Sequence, residues 1–301
     1  MAGRRLSPLR VLGLSAALLV PACLGGEPPF TEPLVLGGVE VDPATLNEGR
    51  DVYTRTCAPC HGDAGDGRGP AAPSLSIPPR DFRTALFKYA GVPAGELPND
   101  ADLLRTVKRG LDGTPMLAWD LTDRERRAVV QYLKTFSPRW RRRAPPPRLL
   151  PTPDPWRDRP AEAIARGAAI YHVQAQCSGC HGAYATRTEL QAMSRALTGH
   201  GIERFSPDLY ERGARESEFF AGDEPVRIVP PDFLQDRMKN GTSLAELYRT
   251  IGAGIGGTAM PHWQGALPEE DLWALVHYTK SLVDRAGVGP VAEKKRASES
   301  R

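Results

Sequence analysis

Two segments of the chain begin with acidic residues and continue with apolar residues at helical spacing. One starts near Asp123 and the other near Glu269, and acidic side chains suit the positive N-terminal end of a helix. The positions expected to face inward are Val129, Val130 and Leu133 in the first helix and Leu272, Leu275, Val276 and Leu282 in the second. An earlier helix is predicted to hold Gly49–Tyr53 in one half and Gly167–Tyr171 in the other. No alternating run is long enough for a sheet, so the pattern predicts an all-α fold.

The chain contains an internal repeat whose matched segments keep the same order in both halves. The matched segments are CAPCHG (57–62) and CSGCHG (177–182), PPRDF (78–82) and PPDF (230–233), LLRTVKRGLDGTPM (103–116) and LYRTIGAGIGGTAM (247–260), and LTDRERRAVVQYLKTF (121–136) and LPEEDLWALVHYTKSL (267–282). We therefore predict two copies of one domain, at 45–136 and 162–286. The second copy carries an insertion near 183–229, predicted to be a surface elaboration or a functional lid.

The connector between the copies, at 137–161, is rich in proline and arginine. Residues 137–160 contain eight prolines, which disfavour a helix and predict a stiff, extended and solvated spacer. Its arginines could instead dock an acidic partner or lipid headgroups.

The N-terminus has the pattern of an export signal. Basic residues precede a short apolar run, VLGLSAALLV, and the segment ends at PAC; the run is too short to cross a bilayer. We predict a signal peptide at 1–22 and a tether at 23–44, with Cys23 placed as the lipidated cysteine of a bacterial lipoprotein. Ordinary cleavage nearby, which would leave a free thiol, is the alternative. Residues 287–301 are predicted to be a charged tail.

Composition and charge limit the classes of function. The chain is 25% charged and 41% hydrophobic, which suits a globular protein of about two domains. Removal of 1–22 takes away three of the 39 basic residues and none of the 36 acidic ones, which leaves a net charge of zero. A nucleic-acid partner is therefore not supported, because no basic excess remains.

The motif C-x-x-C-H occurs once in each copy, as Cys57-Cys60-His61 and Cys177-Cys180-His181. Cysteines three residues apart on a helical turn share a face, so both thiols can reach one edge of a flat ligand. The following histidine can then bind a metal at the centre of that ligand. This spacing is typical of covalent haem attachment. A zinc ribbon or a redox dithiol fits less well, because 116 residues separate the two pairs and a histidine follows each.

These motifs resemble those of class I cytochromes c, and the chain resembles two such domains in tandem. The segment GDAGDGRGP at 62–70 is similar to the haem-side loop of bacterial respiratory cytochromes c. The resemblance implies two covalently bound haem c groups, with His61 and His181 as iron ligands.

The same resemblance implies that Met116 and Met260, in the shared pattern G-T-x-M-x-x-W, are the sixth ligands; packing in the core is the alternative for each. It also implies that the prolines at 78–79 and 230–231 supply the carbonyl that holds each histidine, and that Trp119 and Trp263 wall the pockets. Leu117 stands where the family often has proline, and His262 is an alternative ligand near Met260.

An iron held by histidine and methionine has no position open to a substrate, so we predict an electron carrier and not an enzyme. The resemblance implies membrane oxidoreductases, a terminal oxidase or other cytochromes as partners, at the periplasmic or outer face of a bacterial membrane. The alternative is a dihaem enzyme, of the peroxidase or thiosulfate-oxidising type, with one labile axial ligand. A haem-containing structural subunit of a larger respiratory complex is a third possibility.

Overall fold

The first copy is mostly helical and is preceded by a short hairpin. The computed structural model describes residues 28–221 and 224–286. Strands β1 (Leu34–Leu36) and β2 (Val39–Val41) pair antiparallel. The helices that follow are α1 (Pro43–Thr56), the single turn α2 (Ala58–His61), α3 (Asp100–Arg109) and α4 (Asp123–Thr135).

Helices α1 and α4 approach closely because Gly49 has no side chain. A Cβ at Gly49 would clash with the carbonyl group of Ala128 and would lie 2.8 Å from the Cβ of Tyr132. The approach brings Tyr53 of α1 against Tyr132 of α4, with 5.4 Å between the ring centroids. The segment Gly49–Tyr53 therefore marks the point where α1 and α4 cross, at the centre of the apolar core.

The second copy repeats this plan and adds the insertion. Its helices are α6 (Pro160–Ala169), the single turn α7 (Ser178–His181), α8 (Arg187–Thr198), α9 (Leu244–Ala253) and α10 (Glu269–Ala286); α5 belongs to the connector described below. A π-helical turn, Ile170–Gln174, follows α6 directly. The insertion contains α8 and a hairpin of β3 (Arg215–Ala221) and β4 (Glu224–Ile228).

Helices α6 and α10 cross as α1 and α4 do. A Cβ at Gly167 would lie 2.6 Å from the carbonyl carbon of Ala274 and 2.7 Å from the Cβ of Tyr278. Tyr171 packs against Tyr278, with 5.4 Å between the ring centroids. The two copies therefore use the same glycine and the same aromatic pair to form their cores.

The connector packs on both copies, so its interpretation as a solvated spacer without a helix is wrong. It begins with one helical turn, α5 (Arg139–Arg142), and buries Trp140 and Trp156. The amide of Leu149 donates to the carbonyl of Gly91 at 2.6 Å. A proline-rich chain runs extended along a surface, and two tryptophans bury enough apolar area to hold it there.

The predicted starts of the last helices are confirmed, at Asp123 and Glu269. A capping box fixes the first of these: the Thr122 hydroxyl accepts from the amide of Glu125, and the Glu125 carboxylate accepts from the amide of Thr122. The all-α class is confirmed for the two copies, but the expectation of no sheet is wrong for the two hairpins. Part of the predicted tether at 23–44 forms the first hairpin and packs Leu36 into the core.

The predicted signal peptide, Cys23 and the charged tail at 287–301 lie outside the described residues. Within the ranges 28–221 and 224–286, no helix is long and apolar enough to cross a membrane.

Candidate haem sites

In the first copy, the C-x-x-C-H motif forms a tight turn at the end of α1. Cys57 is the C-cap residue of α1, and the amide of His61 donates to the Cys57 carbonyl at 2.9 Å. Gly62 then leaves the turn with φ of 77°, a conformation that side chains disfavour. The Tyr53 hydroxyl donates to the Gly62 carbonyl at 2.6 Å. The core tyrosine therefore fixes the motif to α1.

The ring of His61 is oriented by a carbonyl and by an aromatic side chain. Its Nδ1 lies 3.0 Å from the carbonyl oxygen of Arg80, and its ring stacks on Phe82 with centroids 4.4 Å apart. Burial lowers the pKa of His61, which favours the neutral imidazole. When Nδ1 donates to this carbonyl, Nε2 presents a lone pair, as a metal-binding histidine requires.

The second copy builds the same arrangement around His181. Its Nδ1 lies 3.1 Å from the carbonyl oxygen of Pro231, and its ring stacks on Phe233 at 4.7 Å. The Tyr171 hydroxyl donates to the Gly182 carbonyl at 3.0 Å, and burial lowers the pKa of His181. Five residues of one copy thus have counterparts in the other with the same contacts.

The predicted source of the carbonyl is correct for one copy and wrong for the other. In the second copy the carbonyl belongs to Pro231, within the predicted pair at 230–231. In the first copy it belongs to Arg80, one residue after the predicted pair at 78–79. The reason is register: aligned on Phe82 and Phe233, Arg80 is the counterpart of Pro231.

The second copy has two additional residues between Tyr171 and Cys177, and the π-helical turn accommodates them. The amide of Ala175 donates to the carbonyl of Ile170 at 2.8 Å, the five-residue step of a π turn. Gln176 then adopts φ of 51°, in the left-handed region. The amide of Cys177 still bonds to the carbonyl of Tyr171, so the haem motif keeps its attachment to the core.

His172 lies within this π turn and supports the insertion. Its Nδ1 lies 2.8 Å from the carbonyl oxygen of Ala168, and its Nε2 accepts from the amide of Tyr184 at 3.1 Å. Both ring nitrogens are therefore used within the protein. The Tyr184 hydroxyl in turn accepts from the amide of Phe233, the residue stacked on His181. The sequence interpretation missed Tyr184, Phe82 and Phe233; the repeated segments PPRDF and PPDF were the available signal for both phenylalanines.

The two candidate axial methionines sit in turns with the same hydrogen bonds. In the first copy, the amide of Leu111 donates to the carbonyl of Met116 at 2.8 Å, and the amide of Met116 donates to the hydroxyl of Thr114 at 3.1 Å. In the second copy, Ile255 and Thr258 make the equivalent bonds to Met260, at 3.2 Å each. The threonine of G-T-x-M therefore shapes the turn.

The surroundings of the two turns differ. Met260 and Trp263 pack against the core of the second copy. In the first copy, Leu117 is 67% exposed and Trp119 is 38% exposed. That these tryptophans wall the pockets stays a prediction, because Trp263 packs against the core and Trp119 is partly exposed.

The remaining histidines are either paired within the protein or exposed. His277 is buried and its Nε2 lies 2.8 Å from a carboxylate oxygen of Asp154 in the connector. His200 and His262 are exposed.

The donor set suits haem in each copy and does not suit a shared zinc. Among residues 28–221 and 224–286, no three His, Cys, Asp or Glu side chains gather as a metal-binding cluster, so the two cysteine pairs do not meet. Each pair instead stands beside one oriented, neutral histidine. Two thiols for thioether bonds and one imidazole nitrogen for iron are what covalent haem attachment requires.

The fold and these paired motifs define a c-type cytochrome with two haem-attachment domains. The chain belongs to the family described as cytochrome c oxidase, cbb3-type, subunit III, whose sequence model matches residues 44–133 and 162–278. Cytochrome c domains carry covalently attached haem c, and the two domains account for two haems and for an electron-transfer role.

A known structure is similar over most of the chain. It is a chain of the Kuenenia stuttgartiensis reducing HAO-like protein complex Kustc0457/Kustc0458, with 31% sequence identity and a TM-score of 0.62. The alignment covers 78% of the present chain and 96% of that chain. No curated protein was found to match.

Proposed function

We propose that this protein is a dihaem electron carrier that passes single electrons between respiratory redox partners. Haem supplies the one-electron iron chemistry when it is bound, and the protein holds and tunes it. The observation that carries the proposal is the repetition of one methionine turn in both copies. The enzymatic alternative, with a labile ligand at one iron, would require this turn in only one of the two copies.

In this proposal His61 and Met116 would hold one haem iron, and His181 and Met260 would hold the other. A thioether is a soft ligand that favours ferrous iron and so raises the reduction potential. The hydrogen bonds that the amides of Met116 and Met260 donate to the hydroxyls of Thr114 and Thr258 hold each methionine backbone in place before electron transfer. This preorganisation reduces the rearrangement that accompanies a change of oxidation state.

The proposal places the protein outside the cytoplasm, anchored by lipid at Cys23 after removal of residues 1–22. The export pattern of the sequence supports the location, and the position of Cys23 after a short apolar run supports the anchor. The similar chain from Kuenenia stuttgartiensis is part of a protein complex, which supports other cytochromes as partners. Membrane oxidoreductases or a terminal oxidase belong to the same proposal.

The axial methionines are tested by Met260→Ala and Met116→Ala, with Met193→Ala as the matched control. Met193 is a partly buried methionine of the insertion, outside the repeated turn. Each axial variant should lose about half of the near-infrared charge-transfer band of histidine–methionine haem and should bind carbon monoxide at one ferrous haem. The control should retain the full band.

The native protein should bind no carbon monoxide without denaturant. Binding at one haem of the native protein would contradict the carrier proposal and favour the enzymatic alternative with an open iron. A Met260→Ala variant with an unchanged band would show that Met260 is not a ligand.

A further inference from the structure

Basic residues that are equivalent in the two copies meet where the copies contact each other. Arg105 of α3 and Arg249 of α9 occupy the same place in the repeat, as do Lys88 and Lys239, each six residues after the stacked phenylalanine. The Arg105 guanidinium donates to the side chain of Asn240 at 2.9 Å across this interface.

Backbone bonds hold the two copies together at the same place. The amide of Ala94 donates to the carbonyl of Ala253 at 2.9 Å, and the amide of Gly256 donates to the carbonyl of Lys88. An ion pair joins Arg109 to Glu246. We call this contact, formed by residues 88–94, Arg105 and Arg109 of the first copy and residues 239–256 of the second, the copy interface.

Two guanidinium nitrogens at the copy interface are buried without a hydrogen-bond partner. They are Nη1 of Arg105 and Nε of Arg249, and they are the only buried side-chain nitrogen or oxygen atoms of this kind in the described part of the chain. A buried N–H of a charged group that lacks an acceptor costs several times what an ordinary hydrogen bond contributes. The two atoms belong to equivalent residues of the repeat. We therefore expect the same kind of hydrogen-bond acceptor to bind each of them.

Positive charge exceeds negative charge around these atoms. The nearby carboxylates already have partners, because Asp102 binds Arg148 at 2.9 Å and Glu246 binds Arg109. Burial lowers the pKa of Lys88 to about 8, and the positive charges of Arg80 and Lys239 contribute to this shift. Burial also lowers the pKa of Arg105, with a contribution from Arg249. Like charges this close together repel each other, and a bound anion would offset that repulsion.

We propose that the propionate carboxylates of both haems lie at the copy interface and are bound by Arg105 and Arg249, with Lys88 and Lys239 adding positive charge. The protein's own haems are the nearest source of carboxylate. Arg80, whose charge acts on Lys88, gives its carbonyl to the haem ligand His61, and the Met116 turn directly follows the helix that bears Arg105. This inference rests on haem attachment in both copies and is independent of the axial methionines and of the partners.

One shared group of cations would couple the two haems electrostatically. Each cation near a propionate stabilises the reduced haem, because reduction removes one positive charge from the iron. Removal of Arg105 or Arg249 should therefore lower both reduction potentials, since each arginine acts on both haems across a short interface.

The test uses the full holoprotein with Arg105→Gln and Arg249→Gln, and Lys108→Gln as the matched control. Lys108 is exposed on the same helix as Arg105, so the control removes one positive charge without touching the copy interface. Haem content is measured first by mass, and a protein without haem would refute haem attachment rather than the present inference. Arg105→Lys keeps the charge and replaces Arg105→Gln should the latter fail to fold.

The direct measurement is the reduced-minus-oxidised infrared difference spectrum of protein whose haem propionates carry a ¹³C label. The label-sensitive carboxylate bands should shift in the arginine variants and not in Lys108→Gln, and both midpoint potentials should fall further than in the control. Unchanged bands and potentials would overturn the inference. A second result would also overturn the inference: reduction potentials that depend on phosphate concentration in the native protein but not in Arg105→Gln, with unchanged propionate bands. That result would show that the arginines bind a free anion instead.

Discussion

The crossing of α6 and α10 under the second haem motif can be tested at Gly167. Replacement by alanine adds one methyl group at the point where the two helices touch. That methyl would lie 2.6 Å from the carbonyl carbon of Ala274 and 2.7 Å from the Cβ of Tyr278. Ordinary contact between carbon atoms is about 3.5–4.0 Å, so the helices must separate by about 1 Å.

The magnitude follows from two opposing effects. Overpacking of a core costs about 1–3 kcal/mol, and the upper end applies because the clash is with the backbone, whereas alanine in place of glycine stabilises a helix by roughly 1 kcal/mol. We therefore expect Gly167→Ala to lower the free energy of unfolding of the second copy by about 2 kcal/mol. Gly49→Ala should act in the same way on the first copy.

Gly252→Ala is the matched control, because Gly252 also lies in a helix of the second copy but has room. The nearest atoms to a Cβ there are 3.7 Å away, on Gln264 and Leu272. Its stability should stay the same or rise by up to about 1 kcal/mol. The assay is guanidinium unfolding of the holoprotein followed by far-ultraviolet circular dichroism. Equal stabilities of Gly167→Ala and Gly252→Ala would refute the close crossing of α6 and α10.

Two further predictions concern His172 and Cys23. Burial lowers the pKa of His172 from 6.5, so the unfolded chain binds a proton more readily and the free energy of unfolding should fall as the pH drops below about 6.5. Denaturant titrations should show this loss in the native protein and in His200→Gln, an exposed control, and a smaller loss in His172→Gln; three parallel profiles would contradict it. Fatty-acid labelling of the exported protein should disappear in Cys23→Ser, and labelling that persists would place the lipid elsewhere.

The helices were predictable where local signals and the repeat agree. Acidic residues and a capping threonine mark the start of α4 at Asp123, and the matched segments place α10 by analogy. The first hairpin escaped prediction because its strands have three residues each, too few for alternation to be visible. The pair Gly37-Gly38, both with positive φ, was the turn signal that periodicity alone does not weigh.

The candidate sites were predictable in their ligand residues and less so in what supports them. The motif C-x-x-C-H identifies the cysteines and the histidine directly, because covalent haem attachment requires this spacing. No knowledge of the packing was needed. The carbonyl of Arg80, the stacking of Phe82 and the hydrogen bond that Tyr184 accepts from Phe233 depend on chain segments that fold back from a distance. The connector was misjudged because proline content was weighed above Trp140 and Trp156, which bury it against the copies.

The central claim, two covalently attached haems in two similar copies, is tested most directly by the mass of the purified holoprotein. The native protein should carry the mass of two haem groups and should retain both after acid–acetone extraction. The double variant Cys177→Ala and Cys180→Ala should carry one haem and keep the spectrum of the first copy. Extractable haem, a mass that corresponds to bound zinc, or the loss of both haems from the double variant would contradict the account.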